Sequence, residues 1–231
     1  MNLTDLSLYQ QAILVLAALV LFSSFAMLAQ RRKSALIHIF AWQGGLLALT
    51  TALVAYVSGH WHLYLSAGLT FVLKGLGIPY LLRRLAKRLK IYREQDDLGQ
   101  TAVVMMIGAS LVVFSYYVSL PVMQLSTLVT RNTIAVSMAV VLLGMLLMIS
   151  RRRAIGQVVG FMAMENGLFF AAMVSTYGMP MVVELGIAFD VLVAAVLFGV
   201  FFFEIRDTID SLDIDRLNRL TEVDERVELP E

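Results

Sequence analysis

The chain contains no cysteine, which excludes disulfides, thiolate metal sites and thiol nucleophiles within it. Charge is scarce as well: only 15% of residues are Asp, Glu, Lys or Arg, against roughly a quarter in a soluble globular domain. No Gly-rich phosphate loop, nucleophile elbow or metal-ligand cluster is legible. His60 and His62 form an H-x-H around Trp61, but no third ligand stands near them in sequence. The histidines of the second and third hydrophobic stretches fall at opposite ends, which disfavours a paired haem ligation.

What fills the chain instead is apolar. Hydrophobic residues make up 59% of the 231, and the mean hydropathy is +0.80. A bilayer core of ~30 Å needs about 20 apolar residues in a helix, and seven such runs occur: 8–29, 34–57, 60–82, 101–120, 132–150, 154–176 and 181–203. Lipid supplies no hydrogen-bond partners, so each run is expected as a helix. The class is therefore an all-α polytopic membrane protein. The first run lacks a basic lead-in and a small-residue cleavage site, so it reads as a permanent helix rather than a signal peptide. Pro79 and Pro121 fall at or near span ends and Pro180 at the start of the last span, positions that tolerate a missing N–H.

Basic residues fix the expected direction. Arg31-Arg32-Lys33, the run from Arg83 to Arg93, Arg151-Arg152-Arg153 and Arg206 all fall on one side of the alternation, and Arg131 falls on the other. The positive-inside rule then puts the N-terminus outside and the C-terminus in the cytoplasm. Trp61, Tyr64, Tyr116 and Tyr117 sit where an outer aromatic belt belongs. The stretch Arg83 to Asp97 reads as a cytoplasmic interfacial helix, since a basic run joining two membrane helices is a poor candidate for nucleic acid. The acidic tail 206–231 reads either as a solvated extension or as a docking segment for a cytoplasmic partner.

An internal repeat is visible. RRKSALIHIFAWQGGLLALTTAL at the second span parallels RRRAIGQVVGFMAMENGLFFAAMV at the sixth, so that Gln43-Gly44-Gly45 matches Glu165-Asn166-Gly167. The third span parallels the seventh, with Lys74 half a turn from the position of Asp190. This divides the chain into a three-helix unit, 1–82; an interfacial segment and linker helix, 83–131; a second three-helix unit, 132–205; and the tail, 206–231.

The candidate site follows from the cost of polar groups in lipid. A carboxylate at the bilayer centre costs roughly 2.5–3.5 kcal/mol, so such groups tend to be functional or paired inside a bundle. Glu165 and Asp190 lie near the middle of antiparallel neighbouring spans and are expected to face each other at similar depth, holding one shared proton between them. Gly156-x-x-x-Gly160 precedes Glu165 and permits close helix approach. Glu184 is nearer the outer surface. Six residues turn a helix by about 600°, so it points away from Asp190 and is either a relay group or one that reaches the headgroups. Lys74 is a proton carrier, a fixed positive charge paired with an acid, or a snorkelling side chain. His38 is a transfer group or, more often for a lone histidine, a hydrogen-bonded packing residue. Gln43 does not titrate and would at best support a water chain.

Spans five to seven resemble the small NuoK-type subunit of respiratory complex I and the MrpC-type subunit of cation/proton antiporters, which carry a carboxylate on each of two helices. Glu165 in GFMAMENGLFFAA matches the first. Asp190 in GIAFDVLVAA best matches the second, with Glu184 as the rival, although the family has glutamate there. Over nearly its whole length the chain resembles the hydrogenase-4 component E (HyfE) family. That resemblance implies a bacterial or archaeal inner-membrane subunit of a hydrogenase or formate hydrogenlyase-type complex. Its implied partners are antiporter-like membrane subunits and a cytoplasmic hydrogenase arm. Nickel–iron and iron–sulfur clusters would reside in those partners and no cofactor in this chain. Glu165 and Asp190, extended by Lys74, would relay H⁺ or Na⁺. A purely structural scaffold is the rival reading, and a stand-alone transporter a more distant one.

Overall fold

A computed structural model describes residues 7–59, 61–88, 98–123, 128–151, 154–175, 185–196 and 199. These residues are helical, joined by short turns, and no strand occurs among them. The helices are α1 (Leu8–Ala29), α2 (Lys33–Ser58), α3 (His62–Thr70), a π-helical segment (Phe71–Gly77), α4 (Ile78–Arg88), α5 (Leu98–Met123), α6 (Leu128–Ser150) and α7 (Ala154–Ser175). A shorter apolar helix, α8, covers Leu185–Val196. Six described stretches are long and apolar enough to cross a bilayer: Leu8–Ala29, Lys33–Ser58, His62–Lys87, Thr101–Pro121, Thr133–Ser150 and Ile155–Ser175. The seventh expected span is described only over α8. Glu184, Pro180, the stretch 89–97 and the tail lie outside the described residues.

The chain divides into two units, Met1–Val191 and Leu192–Glu231. Of the second, only the helical residues to Val196 and Gly199 are described. In the first, α7 packs most extensively on α6, and also on α2, while α1 packs on α2, α5 and α6. A core of Ile13, Ala17, Leu47, Val54, Leu63, Phe169, Phe170 and Met173 joins α1, α2, α3 and α7. Many large apolar side chains face outward, among them Phe22, Trp42, Tyr56, Met106 and Ile149, as a lipid-facing surface requires.

Local signals explain the ends. The N–H of Ser7 donates to Gln10 Oε1 at 3.1 Å ahead of α1, satisfying one of the donors a helix start leaves open. α2 stops at Gly59, whose φ of +70° suits glycine and whose N–H donates to the Ala55 carbonyl at 3.0 Å, a common C-terminal cap. Arg151, just past α6, donates to the carbonyls of Leu28 and Gln30 at the end of α1, the first at 3.2 Å. Buried hydroxyls turn back on their own helices: Ser23 and Ser24 to Val20 O, Thr51 to Leu47 O and Ser137 to Thr133 O. That is how short polar side chains avoid stranding a donor in an apolar interior.

The third span departs from expectation. It does not end near residue 82: helix continues unbroken through Arg88, so Arg83 to Arg88 prolong the span instead of starting a separate interfacial helix. Pro79 thereby lies inside a continuous helix, where it lacks an N–H and its ring crowds the carbonyl four residues back. The turn before it widens. Residues 71–77 are π-helical, and the N–H of Ile78 reaches back five residues to Leu73 O. A wider turn immediately before a proline relieves that clash.

α6 and α7 meet backbone to backbone. A Cβ on Gly160 would stand 2.5 Å from Met148 N and 3.0 Å from Gly144 O, and one on Gly167 would stand 2.9 Å from Val141 N. On Gly144 it would collide with Met164 N. Small residues at such crossings allow the van der Waals contact that holds membrane helices together. Gly160→Ala should therefore destabilise the protein by about 1–3 kcal/mol, the usual cost of overpacking. Gly45→Ala, where a Cβ meets nothing within 4 Å, should be neutral or slightly stabilising. Thermal unfolding of both variants in detergent checks the contrast, and equal losses would refute the packing account.

Candidate functional site

Lys74 is 0% exposed, in the middle of the π segment. Gly44 explains how it gets there. A Cβ on Gly44 would stand 2.9 Å from the backbone carbon, carbonyl oxygen and Cβ of Lys74. Glycine at that position of α2 lets the π segment lie directly against it, and the lysine stem runs inward from the crossing. Snorkelling, one reading of this lysine, does not occur.

The ammonium ends among three groups. It donates to Glu165 Oε2 in a short contact, and to Asn166 Oδ1 at 3.0 Å. Its nitrogen lies 3.3 Å from Asp190 Oδ1, an ion pair. Nζ also stands 4.9 Å from the centre of the Phe169 ring, within range of a cation–π attraction. The two carboxyls expected to face each other, 8% and 1% exposed, thus both meet Lys74. The lysine is the common partner of the two acids and not an outlying extension of their line.

From Asn166 a hydrogen-bond chain runs across the bundle. Asn166 Nδ2 donates to Gln43 Oε1 at 3.0 Å. Gln43 Nε2 donates to Ser24 Oγ at 2.9 Å and to Val20 O at 3.4 Å. Ser24 Oγ donates to Val20 O at 3.0 Å. Every link donates away from Lys74, so the ammonium polarises the chain and the chain in turn favours the ammonium. Gln43 and Asn166 are both 0% exposed. Sequence reasoning noted each of them but not that they bond to one another across α2 and α7. The serine pair in the otherwise apolar LFSSF of α1 was the one sequence signal for the far end.

Charge does not balance in this cluster. An ion pair at the 3.3 Å found here gains on the order of 5 kcal/mol at an effective dielectric of about 20. That roughly offsets the ~5–7 kcal/mol that the two charged side chains together cost at mid-bilayer, at about 2.5–3.5 kcal/mol each. One acid is thereby compensated by the lysine. A second ionised acid would leave a net negative charge with no cation of its own. Glu165 receives the direct hydrogen bond, whereas both oxygens of Asp190 are buried without a hydrogen-bond partner among the described residues. Asp190 is therefore the member short of a proton donor.

The remaining candidates are elsewhere. His38 is exposed and contacts the Ser34 carbonyl through Nδ1 at 2.6 Å within α2, the packing arrangement of a lone histidine, and it does not join the cluster. Glu184 lies outside the described residues. Among the described residues no three His, Asp or Glu side chains are grouped to hold a metal ion.

Comparison with known proteins places the chain. No family model and no solved structure matches it. Over 205 residues, 89% of this chain and 95% of each relative, it is 24% identical to hydrogenase-4 component E of Escherichia coli K12 and to that of Shigella flexneri. It is 32% identical to Uncharacterized protein Rv0085 of Mycobacterium tuberculosis over 193 residues, 83% of this chain and 87% of that protein. With six apolar spans among the described residues, the chain is a multi-pass protein of the inner membrane, homologous to hydrogenase-4 component E, and it belongs to the same family as the mycobacterial protein Rv0085.

Proposed function

We propose that this protein is a non-catalytic membrane subunit of a membrane-bound [NiFe] hydrogenase or formate hydrogenlyase-type complex, and that Lys74, Glu165 and Asp190 relay charge through it. The observation that carries the relay is the uneven cluster: one buried cation, two buried acids, and Asp190 with no hydrogen-bond donor among the described residues. In this reading Lys74 and Glu165 form a standing pair and Asp190 takes up and releases the proton. Release from Asp190 leaves a transient negative charge 3.3 Å from the ammonium, whose attraction eases the release and steadies the carboxylate until a proton returns. A sodium ion in place of the proton would obey the same charge count.

The chain is read as two three-helix units of like direction, 1–82 and 132–205, with the N-terminus outside and the tail in the cytoplasm. The contact of Gln43 with Asn166 supports this pairing of units, because it joins α2 and α7 one residue away from the matched pair Gln43 and Glu165. Redox metals belong to partner subunits, and the acidic tail is suited to meet the cytoplasmic arm. Glu184 stays a candidate for the outer end of the path, while His38, away from the cluster, is a weaker one for the inner end.

A scaffold role for the same three side chains makes different demands, and two experiments separate the readings. In the assembled complex, Glu165→Gln and Asp190→Asn should each leave subunit composition unchanged and lower hydrogen-coupled proton movement into inverted vesicles at least severalfold. Unaltered pumping by complexes that contain the variants would leave only the scaffold. Stability should split the cluster the other way. Lys74→Met strands two acids and should cost about 3–5 kcal/mol, as breaking a buried pair does. Asp190→Asn removes the surplus charge and should cost far less. The order of midpoints in thermal unfolding reads this directly, and a more damaging Asp190→Asn would contradict the assignment of Asp190 as the uncompensated acid.

A further inference from the structure

The π segment has two sides. Lys74 leaves it inward, while its outer side is grooved. Val72, Gly75, Leu76, Gly77, Tyr80 and Arg83 line a cleft of about 450 Å³, a size in the range of ~300–1,000 Å³ common for small-ligand sites. The two glycines hollow it. A Cβ on Gly75 would sit 3.4 Å from the Phe71 ring, so a side chain would fit there and would occupy the cleft. Val72, Leu76 and Tyr80 are exposed, which leaves the cleft open toward the bilayer.

Its two ends differ in chemistry. Along Val72, Gly75 and Leu76 the wall is apolar. At the other end stands Arg83, half-buried, with Nε buried and lacking a hydrogen-bond partner among the described residues. Beside it the Tyr80 hydroxyl accepts a hydrogen bond from Arg84 at 3.3 Å. Arg83 and Arg84 open the basic run Arg83/Arg84/Lys87/Arg88 that closes the third span. An apolar slot running from the membrane interior to a guanidinium at its edge matches an amphiphile with an acyl chain and an anionic head. Anionic headgroups are attracted by about 1 kcal/mol per Lys or Arg near the surface, and a guanidinium meets a phosphate in a bidentate fork.

We propose that this cleft binds an anionic phospholipid, its phosphate on Arg83 and one acyl chain along Val72, Gly75 and Leu76. The lipid would then lie against the outer side of the segment whose inner side presents Lys74. Binding does not depend on the relay reading, since it concerns only the outer wall.

The full-length chain in detergent, exposed to phosphatidylglycerol or phosphatidylcholine and weighed by native mass spectrometry, tests this. Phosphatidylglycerol should be retained at least tenfold better than phosphatidylcholine. Arg83→Gln should abolish the preference and Arg83→Lys should keep most of it. Gly75→Leu, which leaves the arginine in place, should also lower retention, and Arg32→Gln at the exposed start of α2 should not. Equal retention of both lipids, or equal losses from Arg83→Gln and Arg32→Gln, would overturn the site. A photo-crosslinker at Leu76 in native membranes should yield a lipid adduct. An adduct with a protein subunit would mean that a partner side chain occupies the cleft, and would overturn it too.

Discussion

A lysine ammonium in the centre of a membrane bundle constrains everything around it. Left alone it would cost several kcal/mol, so its presence requires neighbours that arrive together. Glu165 and Asp190 supply charge from α7 and α8, Asn166 supplies a carbonyl, and Phe169 supplies a ring face. None of these contacts forms unless the π segment lies close against α2, and that closeness rests on Gly44, where a side chain would strike the Lys74 backbone. A single missing methyl group thus sets the depth to which a charge is carried. The glycines of α6 and α7 act in the same way one layer further on, drawing α7 toward its neighbour while Glu165 and Asn166 face Lys74.

The π-helical turn belongs to the same constraint. Seven residues with wider winding end two residues before Pro79. The proline, with no N–H to give and a ring that crowds the preceding turn, makes the widening favourable. The helix then continues through Arg88, with Arg83 at its basic end. One local irregularity therefore carries a buried cation on its inner side and a hollow on its outer side, and π-helical turns are often found where a protein does something.

Sequence reasoning went far on whatever lipid dictates and stopped where helix rotation decides. Six apolar runs became helices with boundaries displaced by only a few residues, because length and hydropathy are set by bilayer thickness. Lys74, Glu165 and Asp190 stood out because a charge in an apolar run has few explanations. Their mutual arrangement was harder. These helices are apolar nearly all round, so periodicity marks no inward face, and the contacts depend on where glycines let backbones touch. The bond from Asn166 to Gln43 and the lysine's place as partner of both acids were out of reach for that reason. The third span runs past its expected end at residue 82 because the basic residues from Arg83 onward read as interfacial by composition, while the helix continues unbroken through Arg88.

The cluster also has a direction. Toward α1 every polar group is engaged: Asn166 donates to Gln43, Gln43 to Ser24, and Ser24 to a backbone carbonyl. Amide side chains bonded in that fixed order neither take up nor release protons, so the chain ends at α1 as an insulator that steadies the ammonium. Toward α8 the opposite holds, because both Asp190 oxygens are buried and receive no hydrogen bond among the described residues. In the relay reading, charge therefore enters and leaves on the α8 side, and a proton path through this protein has to be completed there by a group that reaches Asp190. In that reading, a dead-ended amide chain on one side and a carboxyl with no donor among the described residues on the other suit a subunit that works against a neighbour, whereas a self-contained channel would need titratable or hydrated groups on both sides of Lys74.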